Sequence, residues 1–491
     1  MRVPLLGSTH RPAGSRSRLV PAAVPWRRVA LASAAVAVLA HPWAAPPAAA
    51  MDPNDITVET LPNGMRVVLV PDHSIPNLAM FTFFRVGSRN ERIGITGLSH
   101  FFEHMMFLGS RNYKPGEFDR TMEAAGGANN AFTAQDITCY QNWFPRSALE
   151  TIFTLESDRV GWLAIDSTSV ESERGVVASE RRRSVEDNNR SLIDEENWAA
   201  AFKAHSYQWP VIGWMVDIEN WQMKDLRKYF ETYYAPNNAT MVIVGDFERD
   251  EVRALLGKYI AIIPRGPEPP KVTTAEPEQH GERRVEFHKQ ANLAEFVSSW
   301  HIPATSHPDY WPLRMLETVL LQGESSRLWR RLVEREQAAL SVSGGFDYAL
   351  DPTLFQIFVQ VKDGVQTSNC EALVYDELAR LTKEPPSDRE MQKARNQLAA
   401  NFYSQLETIS GKAGLLGRAD VYFGDPKAAL TTVQRYEKVT AADIQRVVKT
   451  YFTDRNRTVT TLVPEADEER KSDAGTPGNT LSAGASVGGK R

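Results

Sequence analysis

Asp225 to Thr240, DLRKYFETYYAPNNAT, lies on Asp443 to Thr458, DIQRVVKTYFTDRNRT, at a constant offset of 218, with Asp, Thr, Tyr, Asn and Thr coinciding. Each copy reads as an amphipathic helix, a turn and a strand (Met241 to Val244; Val459 to Val463), the order a helix-backed sheet needs. Nearer the start of each half, Asn77-Leu78-Ala79 matches Asn292-Leu293-Ala294 at an offset of 215, again entering strand-like runs. A repeat on this scale means two related domains, and its mixture of helix and strand makes the class α+β. At the start of the first, Thr57 to Leu61, Pro62-Asn63-Gly64 and Met65 to Val70 form a hairpin signal.

The flanks differ in kind. The first 50 residues hold six arginines and no Asp or Glu, an apolar block from Val29 to Ala40 too short to span a bilayer, and a small-residue cleavage site at Ala48-Ala49-Ala50. Residues 1–50 therefore read as a secretory signal. Removing 50 residues and six positive charges from a chain of 491 with net charge -5 leaves 441 residues and a charge of -11. An acidic body disfavours nucleic acid as a partner, and no integral membrane segment is expected once the leader is gone. With 42% hydrophobic and 24% charged residues, wholesale disorder and a multi-span membrane protein are excluded. Cys139 and Cys370 are the two cysteines, too few for a disulfide framework, so stability must come from ordinary cores. The organisation expected is a first domain over 51–265, a linker over 266–280, a second domain over 281–465 and a disordered tail over 466–491. Pro264 to Pro277 holds five prolines, a composition that stiffens a connector and is not expected to pack into either core.

His100-Phe101-Phe102-Glu103-His104 carries the chemistry. At 100° per residue His100, Glu103 and His104 share one helix face, and two imidazoles at i and i+4 can grip one Zn²⁺. Leu98, Phe101, Phe102 and Met105 fall on the other side and would bury. A zinc centre needs a third protein ligand, and a catalytic one keeps its fourth position for water.

The motif resembles that of the pitrilysin and insulin-degrading metallopeptidases, the inverzincins, whose H-x-x-E-H is followed some 76 residues later by a liganding Glu. Counting 76 from His104 reaches Glu180, in a segment from Glu173 to Arg181 that is similar to the family's E-R-x-V-V-x-x-E. The resemblance implies one zinc per chain held by His100, His104 and Glu180, with Glu173 supporting the site from behind. Glu173 and Glu180 are seven apart, so on a helix they share a face. The implied fold is two domains, each a mixed, mainly antiparallel sheet flanked by α-helices, with the metal in the first. The implied reaction is peptide hydrolysis, in which Glu103 takes the proton of the attacking water. Asn129 to Thr133 looks like the family's edge strand, making Asn130, Ala131 and Phe132 the residues expected to pair with an extended peptide substrate.

Other notable residues read as structural. Phe107 is expected to pack, His205 in HSYQWPVIGW to be structural rather than a ligand, Cys139 to be small and buried, and Arg181-Arg182-Arg183 to be a solvated run at a helix end. One departure from the family matters. Active relatives carry an Arg and, seven residues on, a Tyr in the second half, whereas alignment here places Val333 and Leu340 at those positions, with Arg335 and Tyr348 nearby. A homologous second subunit supplying Arg and Tyr is therefore expected, making this chain the metal-bearing partner of a heterodimer. The location expected is periplasmic or secreted, with a twin-arginine route through Arg27-Arg28 as a variant. Two alternatives stand beside it: a mitochondrial processing peptidase β-type subunit in the matrix, and a non-catalytic scaffold subunit of the same fold.

Overall fold

The computed structural model describes residues 51–465. The signal assigned to 1–50 and the tail assigned to 466–491 lie outside the described residues. Six strands, β1 (Thr57–Thr60), β2 (Arg66–Pro71), β3 (Asn77–Phe84), β4 (Ala128–Thr133), β5 (Thr138–Pro145) and β6 (Ala239–Gly245), form one sheet in the order β1-β2-β6-β3-β5-β4. Five more, β7 (Arg283–Gln290), β8 (Glu295–Ile302), β9 (Ala339–Gly345), β10 (Thr353–Val361) and β11 (Arg457–Glu465), form a second in the order β7-β11-β8-β10-β9. Apart from β1 the two orders are the same. Each has one parallel pair, β2 with β6 and β7 with β11, and is otherwise antiparallel. The repeat seen in the sequence forms the Met223–Tyr233 helix with β6 and the Ala441–Tyr451 helix with β11. The α+β class is the one observed.

The central strands are buried along most of their length, β6 at every residue, because both faces of each sheet are covered. On the first sheet one face packs Leu69, Met80, Phe84 and Ile243 against the Leu98–Met105 helix and its neighbours. The other face, with Val68, Phe81, Phe83 and Val242, is covered by the Ile409–Phe423 helix from the second half. Reciprocally, Ile193 of the Asn189–Ala201 helix in the first half packs on Val297, Phe358 and Leu462 of the second sheet. The halves thus exchange equivalent helices, and residues 51–465 fall within one compact unit. Asp420 accepts hydrogen bonds from Arg66, Arg85 and the Thr240 hydroxyl of β6, each at 2.6 Å. Asn197 reaches the Thr460 hydroxyl of β11 at 3.3 Å, a matching tie from the other exchanged helix.

Two expectations need correction. Residues 266–280 contain no helix or strand, yet the stretch is more than a spacer. The Glu276 carboxylate accepts from the backbone N–H groups of Lys203, Ala204 and His205 at 2.9 to 3.1 Å, and buried Gln279 donates to the Arg457 carbonyl at 2.7 Å. Of the three arginines at 181–183, Arg181 is buried rather than solvated. Its guanidinium forms a bidentate pair with Glu195 at 2.8 and 2.9 Å, which offsets the cost of burying the charge.

Candidate metal centre and active site

The Leu98–Met105 helix is set by its start. Gly97 has φ +86° and presses against the Ile212 carbonyl, a position where a β-carbon would collide. The buried Glu91 carboxylate accepts from the N–H groups of Gly97 and Ser99, both at 2.7 Å, capping donors that the first helical turn leaves open. Burial raises the Glu91 pKa to about 8 despite these bonds. Asp217 fixes the preceding loop through Gly94 N–H at 3.0 Å, Thr96 N–H at 3.1 Å and the Thr96 hydroxyl at 2.7 Å. Leu98, Phe101, Phe102 and Met105 bury as their spacing predicts, which leaves His100, Glu103 and His104 on the opposite face.

The Ser167–Arg181 helix packs across this face and brings Glu173 and Glu180 to the histidines. Glu180 Oε2 lies 3.4 Å from His104 Nε2 and 3.8 Å from His100 Nε2. Ligands about 2.0–2.1 Å from a tetrahedral Zn²⁺ are separated by about 3.3 Å, so the spacing suits such an ion. Glu180 Oε2 is buried, makes no hydrogen bond, and faces the two imidazole Nε2 atoms. Among the described residues these three are the one group of His, Cys, Asp and Glu so disposed. Glu173 Oε1 meets His104 Nδ1 at 2.7 Å, which fixes the ring with its Nε2 edge toward Glu180. His100 Nδ1 is buried without such a tether.

The charges respond accordingly. Burial, with His104 beside it, pushes the His100 pKa down to about 4. For His104 burial acts in the same direction, but Glu173 and Glu180 overcome it and raise the pKa to about 9. Glu103 stays clear of the ligand set. Its Oε2 accepts from the Thr133 hydroxyl at 2.6 Å, and burial raises its pKa, the direction a general base near neutral pH requires.

Thr133 ends β4, the outermost strand of the first sheet, so Asn130, Ala131 and Phe132 lie on an edge with one side unpaired. A pocket of about 410 Å³ holds His100 and Glu180, and a cavity of about 650 Å³ next to it lies between the halves, lined by Phe132 and Thr133 on one side and Arg314 and Tyr348 on the other. Val333 packs on the second core, Leu340 is exposed on β9, and Arg335 is exposed; Tyr348 stacks between Tyr310 and Tyr422 at the cavity wall. Phe107 packs on Phe118 and Tyr140, and Cys139 and Cys370 are buried and free. His205 is buried beside Asp351, its Nε2 at 3.0 Å, and binds no part of the centre. Sequence reasoning missed Glu91, Asp217 and the role of Thr133; an acid six residues before the glycine that opens the helix was the available signal for the first.

Residues 66–213 match the family model for insulinase (peptidase family M16), and residues 220–398 match that for the peptidase M16 inactive domain. The zinc protease PqqE of Helicobacter pylori is 32% identical over 413 residues, 82% of this chain and 92% of the relative. A solved protease structure from Helicobacter pylori superposes with a TM-score of 0.81 at 30% identity, covering 83% of this chain and 99% of that one. The periplasmic protease PqqL from Escherichia coli shares the fold with a TM-score of 0.70 at 17% identity, and this chain covers 52% of it while 89% of this chain is matched. With PqqE matched over nearly its whole length and both halves matched in order, this chain belongs to the insulinase family of peptidases, family M16.

Proposed function

We propose that the chain is a zinc-dependent endopeptidase acting on unfolded peptides or small proteins, and that it is the metal-bearing subunit of a pair. The observation that carries this is the convergence of His100, His104 and Glu180, with Glu180 Oε2 buried and unpartnered and Glu103 left free beside the edge strand. The three would hold one Zn²⁺, which when bound polarises a scissile carbonyl and acidifies water. The rest is the chain's own work. Glu103, its carboxylate steadied by Thr133, accepts the water's proton and returns it to the leaving amine. Glu173 keeps His104 in the ligating tautomer. Asn130, Ala131 and Phe132 on β4 pair with the peptide main chain, which favours extended substrates over any particular sequence.

A partner is part of the proposal because Val333 and Leu340 bring no charge to the cavity, and a relative, PqqL, has a chain about twice the span matched here. A homologous subunit would supply the Arg and Tyr. A periplasmic or secreted location follows the leader read from the sequence and agrees with the description of PqqL. The mitochondrial alternative is not favoured beside a bacterial relative matched over 92% of its length. A scaffold role would leave the Glu180 oxygen buried to no purpose.

Purified chain should contain about one zinc, lose it to a chelator, and cleave peptide when mixed with its partner. Chain that binds no zinc, or zinc-loaded chain inert toward every peptide with and without a homologous partner, would remove this reading.

A further inference from the structure

The pocket of His100 and Glu180 and the larger cavity between the halves share four residues: Gln135, Asp194, Trp198 and Val211. Asp194 is committed, accepting from Gln356 at 2.7 Å and from Trp198. Val211 is apolar. The Gln135 side chain, at the junction, has no hydrogen-bond partner among the described residues.

Its backbone is held from several directions. Arg89 N–H donates to the Gln135 carbonyl and Ala134 N–H to the Ile137 carbonyl, both at 2.8 Å. The next residue, buried Asp136, accepts from the Tyr207 hydroxyl at 2.8 Å and from Leu350 N–H of the second half at 3.0 Å. Gly87 approaches so closely that a β-carbon there would overlap the Ala134 and Gln135 carbonyls. A rigid turn thus presents an uncommitted primary amide at the point where one cavity opens into the other.

That point is also where the edge strand stops. β4 pairs with β5 only as far as Thr133, so a peptide added to β4 runs out of main-chain partners on entering the larger cavity. A primary amide carries the same donor and acceptor as a peptide group. We infer that Gln135 is a substrate-positioning residue, its side-chain amide pairing with the main-chain N–H and C=O of an extended peptide beyond Thr133. The ladder begun on β4 then continues into the second cavity, without selectivity for side chains. This rests on the peptidase reading and adds to it a residue that no part of that reading uses.

The test compares two peptides on the zinc-loaded full chain with its partner: one of about six residues, matching β4 alone, and one of about twelve, long enough to pass Gln135. Gln135→Ala should lower kcat/KM for the longer peptide about tenfold, chiefly through KM, and leave the shorter within about twofold. In the Glu103→Gln background, binding of the longer peptide should weaken by a similar factor on adding Gln135→Ala, a readout that needs no turnover. An unchanged KM for the longer peptide, or equal losses for both, would overturn the inference. Failure of the Glu103→Gln chain to bind either peptide would instead count against the peptidase reading itself.

Discussion

The Leu98–Met105 helix of the first half and the Tyr310–Leu321 helix of the second occupy the same place in the chain, one between β3 and the edge strand β4, the other between β8 and the edge strand β9. Setting Gly109 on Gly323, an offset of 214, puts His100, Glu103 and His104 on Arg314, Glu317 and Thr318. Glu103 reaches the end of β4 at Thr133, and Glu317 lies against Gly345 at the end of β9. The chemistry diverges there. Arg314 donates to Glu317 at 2.7 Å, lies over the Phe346 ring at 4.0 Å, and so closes the second site on itself. In the first half two imidazoles stand where Arg314 and Thr318 stand in the second, and Glu103 pairs with Thr133 instead of with a neighbouring guanidinium. One scaffold therefore carries both a site closed by its own ion pair and one whose histidines and glutamates are left open to a ligand.

The largest effect expected separates the two glutamates. Glu103→Gln should lower turnover about 100- to 10,000-fold with zinc content unchanged, whereas Glu317→Gln should stay within about twofold. Comparable losses in both would mean the second half takes part in the chemistry. Next comes the tether that only His104 possesses. Glu173→Gln should weaken zinc binding about 10- to 100-fold in a chelator competition, and an unaltered affinity would show that the His104 tautomer needs no help.

The exchanged helices sharpen the comparison in stability. A β-carbon at Gly417 would overlap the Phe83 ring of the first sheet, so Gly417→Ala should cost about 1–3 kcal/mol. Because each helix covers the other half's sheet, the loss should lower one shared unfolding transition; two separate transitions, only one of them shifted, would contradict the exchange. The smallest effect concerns acid. Burial opposes ionisation of Asp351, but His205 and Arg89 outweigh it and hold the pKa down to about 2. A carboxyl lowered on folding stabilises above its ordinary value near 3.8 and loses that contribution as pH falls toward 2. Asp351→Asn should flatten the stability curve in that window, and an acid limb identical to wild type would show the link between the halves to be without weight.

Much of this was legible in the sequence because it is periodic. The helix, turn and strand of the repeat follow from local spacing, and i, i+4 and i+7 relations place His100, His104, Glu173 and Glu180 on helix faces without any tertiary knowledge. Family resemblance then chose Glu180 among many carboxylates. What could not be read depends on distant partners. An amphipathic pattern in Ile409 to Phe423 says that a face is buried but not that another half's sheet buries it. Arg181 looked solvated because nothing local marks Glu195 as its partner, and Glu276 sits in a proline-rich run whose composition conceals its bonds to Lys203 through His205.

The reciprocal covering of the sheets also sets the order in which the protein can be completed. Strands β1 to β6 are all made by Gly245, yet their outer face stays wet until residues 409–423 have been synthesised. Throughout that interval the nascent first half carries a bare apolar surface, so a chain truncated before Ile409 should be sticky rather than soluble, and the first sheet closes only once that helix has been made.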